Sequence, residues 1–173
     1  RRRRSSDLTK TETEVSWFED EPRQSLELMR SAGLTPASSV VDIGGGASHL
    51  VDHLLGLGLS GVTVLDISEA ALATAQTRLG PQAGRATWIA ADVRDWQPPR
   101  TYDIWHDRAA FHFLVAPADR AAYRHCLAKA VKPGGHAVIA SFADNGPERC
   151  SGLPVIRYSS EGLAAALGGL VEP

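Results

Sequence analysis

The stretch VVDIGGGASHL, residues 40–50, decides the fold of this chain. It runs from a short apolar segment through Asp42 into three consecutive glycines, and then into residues that suit a helix. Glycine loses more backbone entropy on folding than any other residue, so three in a row indicate a turn that needs positive φ or the close approach of another group. We therefore expect a strand, a tight turn and a helix, with a ligand against the turn.

Apolar segments of strand length continue along the chain and alternate with segments of helical period. The predicted strands are residues 40–43, 62–65, 87–91, 102–105 and 136–142. The predicted helices are residues 48–57, 69–79 with Ser68 as N-cap, 117–130 and 160–167. This alternation is typical of a parallel sheet covered on both faces. The predicted fold class is α/β, a doubly wound, mostly parallel sheet.

The 173 residues, of which 43% are hydrophobic and 22% charged, predict one soluble globular domain. We expect a disordered basic tail over residues 1–13 and a single domain over 14–173. Within that domain, 14–36 is predicted as a helical cap, 40–142 as a cofactor-binding core, and 143–173 as a loop and C-terminal helix.

Charge and composition exclude several classes of partner. A net charge of −2 gives no global field for nucleic acid or for a membrane surface, and we expect neither partner. No apolar stretch reaches the roughly 18 residues of a membrane span. Cys126 and Cys150 have no metal-ligand spacing, and His49 and His53 lack a third ligand, so we expect a cytoplasmic protein without a metal site.

Acidic residues lie at the ends of the first three predicted strands, where ligands of open parallel sheets bind. Asp42 precedes the glycines, Asp66 ends the second strand, and Asp92 follows the third beside the Val93 amide. A dinucleotide site would need a third glycine where His49 stands, and its pyrophosphate would be repelled by Asp42. A cofactor with a cationic end, such as S-adenosylmethionine, fits better, with Asp66 on the ribose hydroxyls and Asp92 on the adenine amino group.

In these motifs, from about residue 40 to 142, the chain resembles the class I, seven-stranded S-adenosylmethionine-dependent methyltransferases. The family's first motif corresponds to Asp42, Gly44 and Gly46, with Ser48 where a third glycine is frequent, and its turn before strand five to KPGG at 132–135. The expected cofactor contacts are Asp42, Gly44, Gly45, Gly46, Ser48, Asp66, Ile67, Asp92, Val93 and Asp107. The family's C-terminal hairpin strands are expected to be lacking, which would leave an exposed fifth strand through which the chain could form an oligomer.

The resemblance implies transfer of a methyl group to a small-molecule acceptor or to a protein side chain. Two alternatives stay open: an NAD(P)-dependent oxidoreductase on a similar sheet, and a non-catalytic cofactor-binding subunit.

The acceptor site is expected after the fourth strand, in YDIWHDRAAFHFL at 102–114. Its Asp-Arg pair resembles the small methyltransferase-like subgroup that includes eukaryotic protein lysine methyltransferases. The candidate catalytic residues are Asp107, His112 and His106. The candidate residues of the substrate pocket are Trp17, Phe18, Arg108 and Phe111. Methyl transfer is an in-line displacement at an activated sulfonium, so alignment of the acceptor is needed more than a base.

Overall fold

A five-stranded parallel sheet forms the centre of the computed structural model, which describes residues 22–170. Its strands are β1 (Ser39–Ile43), β2 (Gly61–Asp66), β3 (Ala86–Ala90), β4 (Tyr102–Arg108) and β5 (Val131–Ala140). The strand order is β3-β2-β1-β4-β5, and every neighbouring pair is parallel. The order reverses between β1 and β4, so a crevice opens at the carboxyl ends of these two strands.

Helices cover both faces of the sheet. They are α1 (Arg23–Ser31), α2 (Leu50–Gly56), α3 (Glu69–Leu79), α4 (Pro117–Ala130) and α5 (Ser160–Ala166). Single 3₁₀ segments occupy Gly80–Arg85 and Phe111–Phe113, and a short antiparallel hairpin pairs β6 (Arg149–Cys150) with β7 (Leu153–Pro154). The α/β, doubly wound fold class is thereby confirmed.

Strand alternation divides the core into two layers, because successive side chains of a strand point to opposite faces. Val40 of β1 and Ile104 of β4 pack with α1, α2 and α3 in the first layer. Val41 of β1 and Trp105 of β4 pack with α4 in the second layer. By the same alternation, the side chains of Asp42 and His106 lie on the face of the first layer, and that of Asp107 lies on the face of the second.

Several predicted boundaries are wrong, mainly because two strands are longer than predicted. β4 continues to Arg108, so His106 and Asp107 lie inside the strand. β5 begins at Val131 because residues 132–135 bulge out of it: Tyr102 pairs with Val131, but Ile104 pairs with His136. α2 begins at Leu50, two residues later than expected. The Ser68 cap is confirmed, since its hydroxyl accepts a hydrogen bond from the Ala71 amide.

Within residues 22–170, β5 ends the sheet, and β6 and β7 pair only with each other. None of the helices in this part of the chain combines the length and the apolar character needed to span a bilayer. The same residues contain no group of three His, Cys, Asp or Glu side chains that could hold a metal ion. The predicted basic tail, Trp17 and Phe18 lie outside the described residues.

Candidate active site

A cavity of about 740 Å³ opens at the carboxyl ends of the first four strands. A volume of this size is typical of cofactor and small-molecule sites. Half of the ten predicted cofactor contacts line it, namely Gly44, Asp66, Ile67, Asp92 and Val93. Asp42, Gly45, Gly46, Ser48 and Asp107 are not among the lining residues.

The glycine turn forms one wall of the cavity and wraps over two carboxylates. Gly44 and Gly46 have φ of +67° and +50°, in the left-handed region that glycine tolerates best. A Cβ on Gly45 would lie 2.5 Å from Asp42 Oδ2, and one on Gly46 would lie 2.9 Å from Asp66 Oδ2. The backbone therefore comes closer to both acids than a residue with a side chain would allow.

Asp66 is the last residue of β2 and lies where the cavity wall meets the start of α3. Its Oδ1 accepts a hydrogen bond of 2.8 Å from the Ser68 amide, which fixes the orientation of the carboxylate. Ile67 follows it on the wall and is 38% exposed. The strand end and the helix cap together present a carboxylate of fixed orientation to the cavity.

Asp92 follows β3 and is held by Arg94, a residue that the sequence reasoning did not select. The Arg94 side chain donates to both carboxylate oxygens of Asp92, and its Nη1 lies 3.0 Å from Asp119 Oδ2 on α4. This pairing lowers the pKa of Asp92 below its usual value, chiefly through the hydrogen bonds from Arg94. Asp92 is therefore a carboxylate throughout the neutral range. The Asp-Val-Arg spacing was a local signal for this pair, whereas nothing in the sequence indicated Asp119.

The opposite wall of the cavity is mostly apolar. Some of it falls in segment 102–114, where the acceptor site was expected, and the remainder was missed. Part of it comes from the segment between β4 and α4: Ala110, Phe113, Leu114, Val115 and Ala116. The rest comes from the β6–β7 hairpin: Arg149, Gly152, Leu153 and Pro154. The hairpin lies more than 80 residues from Asp66 in sequence, and only the folded chain brings the two together.

His106 lies beneath the glycine turn, outside the cavity. Its Nδ1 is 2.7 Å from Asp42 Oδ1 and its Nε2 is 2.9 Å from the Ser25 hydroxyl. His106 and Asp42 are 4% and 3% exposed. Neither side chain is placed to touch a molecule in the cavity directly.

Asp107 lies in the other layer and holds the turn that follows β4. Its carboxylate accepts hydrogen bonds from the amides of Ala110 and Phe111 and from the Tyr123 hydroxyl. This turn contains Ala109 with φ of +75°, an unfavourable conformation for a residue with a side chain. Complete burial raises the pKa of Asp107 to about 6, although the hydrogen bonds lower it.

The other candidates after β4 also lie away from the cavity wall. His112 is fully buried, with its ring 4.5 Å from Phe113 and 5.0 Å from Phe142. Phe111 is fully buried against Tyr123. Arg108 is partly buried and does not line the cavity. Thus none of the three residues predicted as catalytic lies on the cavity wall.

Comparison with known proteins identifies the family. A family model described as "Methyltransferase domain" matches residues 40–135, more than half of the chain. The chain belongs to this methyltransferase family. Membership confirms the predicted resemblance to the class I S-adenosylmethionine-dependent methyltransferases, and with it the class of enzyme and the cofactor at the level of the family.

Individual proteins match this chain at low sequence identity. Nodulation protein S of Sinorhizobium fredii (strain NBRC 101917 / NGR234) is 27% identical over 127 residues, which cover 73% of this chain and 57% of that protein. A solved structure titled "Conversion of a Disulfide Bond into a Thioacetal Group during Echinomycin Biosynthesis" is 26% identical, with a TM-score of 0.64, over 82% of this chain and 64% of that one.

The glycopeptide N-methyltransferase MtfA, solved in complex with S-adenosylmethionine, has a TM-score of 0.59 at 21% identity, over 70% of this chain and 51% of that one. At that identity the likeness shows the fold alone. The chain spans between about half and two thirds of the length of these three proteins.

The site is consistent with the cofactor of a methyltransferase. Gly44 lies on the cavity wall and has no side chain, so a ligand can approach the backbone closely there. Asp66 and Asp92 bring two acceptors of hydrogen bonds to the same cavity, and the Val93 residue beside Asp92 lies on its wall. These two acceptors therefore suit a ligand that donates from hydroxyl and amino groups, as the adenosine of S-adenosylmethionine does.

Proposed function

We propose that this chain binds S-adenosylmethionine in the cavity at the carboxyl ends of β1 to β4 and transfers its methyl group to a small-molecule acceptor. The observation that carries the proposal is the convergence of the glycine turn, Asp66 and the Asp92-Val93 pair on one cavity of about 740 Å³. The family match over residues 40–135 supports the same conclusion.

In this proposal each wall of the cavity binds a different part of the cofactor. Asp66 accepts hydrogen bonds from the ribose hydroxyls, and Asp92, ionised because of Arg94, accepts from the adenine amino group. The glycine turn receives the amino acid end. Asp42 acts on that end from beneath the turn. Its Oδ1 is bonded to His106 there.

When bound, S-adenosylmethionine would supply a methyl group activated by its sulfonium, and an acceptor lone pair would displace S-adenosylhomocysteine from that carbon. The chain's own contribution is alignment and exclusion of water. Phe113, Leu114 and Leu153 provide apolar walls for that purpose. His106, Asp107 and His112 are assigned positioning or packing roles, and an amine acceptor releases its proton to solvent.

Nitrogen is the first acceptor atom to test, and sulfur the second. MtfA is named a glycopeptide N-methyltransferase, and the echinomycin structure concerns a disulfide that becomes a thioacetal. A panel of small amines, thiols and alcohols would be incubated with S-adenosylmethionine that is radiolabelled in its methyl group. The compounds that become labelled would identify the acceptor class.

Titration calorimetry with S-adenosylmethionine and S-adenosylhomocysteine tests the cofactor. We expect Asp66→Asn to weaken binding by about 1.5 to 3 kcal/mol, since it removes a charge-assisted acceptor but keeps an oxygen for the Ser68 amide. Asp103→Asn is the matched control, because Asp103 lies at the opposite end of β4 and pairs with Lys132. It should leave the affinity unchanged.

Three results would contradict the proposal. Absence of binding by the wild-type chain would remove the cofactor assignment. Tighter binding of NAD(P) at the same site would favour the oxidoreductase alternative. Binding of S-adenosylmethionine without transfer to any acceptor in the panel, together with elution as a mixed complex, would favour a non-catalytic subunit. Cytoplasmic location and an oligomer formed through β5 stay predictions.

A further inference from the structure

Three polar side chains lie in line within the first layer of the core, beneath the glycine turn. Ser25 belongs to α1, His106 to β4 and Asp42 to β1, and they are 6%, 4% and 3% exposed. The Ser25 hydroxyl is 2.9 Å from His106 Nε2, and His106 Nδ1 is 2.7 Å from Asp42 Oδ1. A neutral imidazole with its proton on Nδ1 donates to Asp42 and accepts from Ser25. We call these three residues the buried relay.

The surroundings of the relay are apolar. Leu26 and Met29 of α1, Val40 of β1 and Ile104 of β4 all belong to this layer. A carboxylate is costly to remove from water, and well-packed apolar residues in place of a buried ion pair are often neutral or stabilising. Stability alone therefore gives no reason for an acid and an imidazole at this place.

The inner end of the relay touches the cofactor turn. Asp42 Oδ2 and Cγ would lie 2.5 Å and 2.9 Å from a Cβ built on Gly45, so the carboxylate is packed directly under that residue. Asp42 and His106 are also register partners on adjacent strands, which places both side chains on the same face of the sheet. Any rotation of the carboxylate must therefore be accommodated by the backbone of the turn or by the imidazole.

We propose that His106 is a positioning residue for the cofactor turn. It holds the Asp42 carboxylate in one orientation under Gly45, and Ser25 holds the ring from α1, so that α1 and the glycine turn form one pre-shaped unit. The inference rests on the proposed function, because its consequence is tighter binding of S-adenosylmethionine by a turn that needs no reordering.

The order Ser-His-Asp does not make the relay a nucleophilic triad. A nucleophile must reach its substrate, and the base must lie within hydrogen-bond distance of it at the same place. Ser25 lies within α1, almost completely covered, and no member of the relay lines the cavity. The relay therefore acts on the turn above it.

Two substitutions separate the two ends of the imidazole. His106→Asn puts an amide group at the position of Nδ1 and keeps the bond to Asp42, whereas His106→Gln reaches the position of Nε2 and keeps the bond to Ser25. Each removes the ring and one hydrogen bond, so a purely structural role predicts similar losses for both. Affinity for S-adenosylhomocysteine would be measured by calorimetry and Tm by thermal unfolding, with Ser25→Ala as a third variant.

We expect His106→Gln to weaken binding of S-adenosylhomocysteine roughly tenfold, and His106→Asn and Ser25→Ala to weaken it about threefold, because only the first loses the charge-assisted bond to Asp42. Equal affinities of the two histidine variants, or losses that follow Tm alone, would overturn the relay while the proposed function stands. Failure of the wild-type chain to bind would instead remove the proposed function. Should both histidine variants fail to fold, a Ser25→Ala chain with unchanged Tm and weaker binding supports the coupling, and one with wild-type affinity overturns it.

Discussion

Four aspartates lie near the carboxyl ends of the central parallel strands, and they fall into two pairs. Asp66 and Asp92 line the cavity, whereas Asp42 and Asp107 lie inside β1 and β4 and do not line it. In the proposed function, the first pair presents oxygens to the cofactor. The second pair holds the backbone on which the cavity is built, Asp42 beneath the glycine turn and Asp107 beside the turn after β4.

Register explains the difference. Asp42 is level with Val64, so Asp66 lies two residues farther toward the carboxyl edge, a distance of roughly 7 Å. Asp66 is in turn level with Ala90, and Asp92 follows that residue by two more positions. Acids of the same chemical type therefore line the cavity or support the backbone according to their depth along the sheet.

The largest expected effect comes from substituting Asp107, one of the two aspartates that support the backbone. Asp107→Ala leaves two amides and the Tyr123 hydroxyl without their acceptor, and we expect the free energy of unfolding to fall by about 3 to 5 kcal/mol. Urea denaturation would measure this. Asp95→Ala removes an exposed acid and should change the same quantity by less than about 0.5 kcal/mol. Equal effects of the two substitutions would contradict a supporting role for Asp107.

The pH dependence of stability distinguishes the same residue from the cavity acids. The pKa of Asp107 rises from its ordinary value of 3.8 to about 6 on folding, so its contribution is fully favourable below pH 3.8 and is lost as the pH rises through 6. The shift corresponds to about 3 kcal/mol of unfolding free energy. Urea titrations between pH 4 and 7 should show this decline for the wild type but not for Asp107→Asn. Parallel curves would show that Asp107 does not titrate in this range.

The smallest expected effect concerns Arg94, which keeps Asp92 ionised and ties it to α4. Arg94→Met should raise the pKa of Asp92 and weaken cofactor binding by about 1 kcal/mol, the scale of one ordinary hydrogen bond. Calorimetry at pH 7 and at pH 5 would measure it, with a larger loss at the lower pH. Arg100→Met changes an exposed arginine outside the cavity and serves as control. An unchanged affinity for Arg94→Met would show that Asp92 needs no support.

Much of the fold was accessible from the sequence because its signals are local. The alternation of apolar strands and helices predicted the doubly wound sheet, and the Ser68 cap marked the start of α3. The β5 boundary failed because residues 132–135 have the composition of a turn, yet bulge out of a strand that pairs on both sides of them. Whether such a segment ends a strand depends on its pairing with β4, which is a contact distant in sequence.

The candidate site also contains residues with local sequence signals and residues that only distant contacts place. Gly44, Asp66, Ile67, Asp92 and Val93 follow strand ends, and a parallel sheet brings all its carboxyl ends to one edge, so they could be found without coordinates. The residues after β4 could not be assigned in this way. Their chemistry suits catalysis, but alternation sends His106 and Asp107 into opposite layers, and neither side chain lines the cavity.

By itself, the sequence determined the kind of sheet, the place of the glycine turn and the acids that follow the strands, because these depend on periodicity and on the conformational freedom of glycine. The tertiary structure alone decided how deep each acid lies, which partner it meets and which distant segments, from Ser25 to the β6–β7 hairpin, surround it. Register, strand length and the packing of helices set those distances, and each is fixed by contacts between residues far apart in the chain.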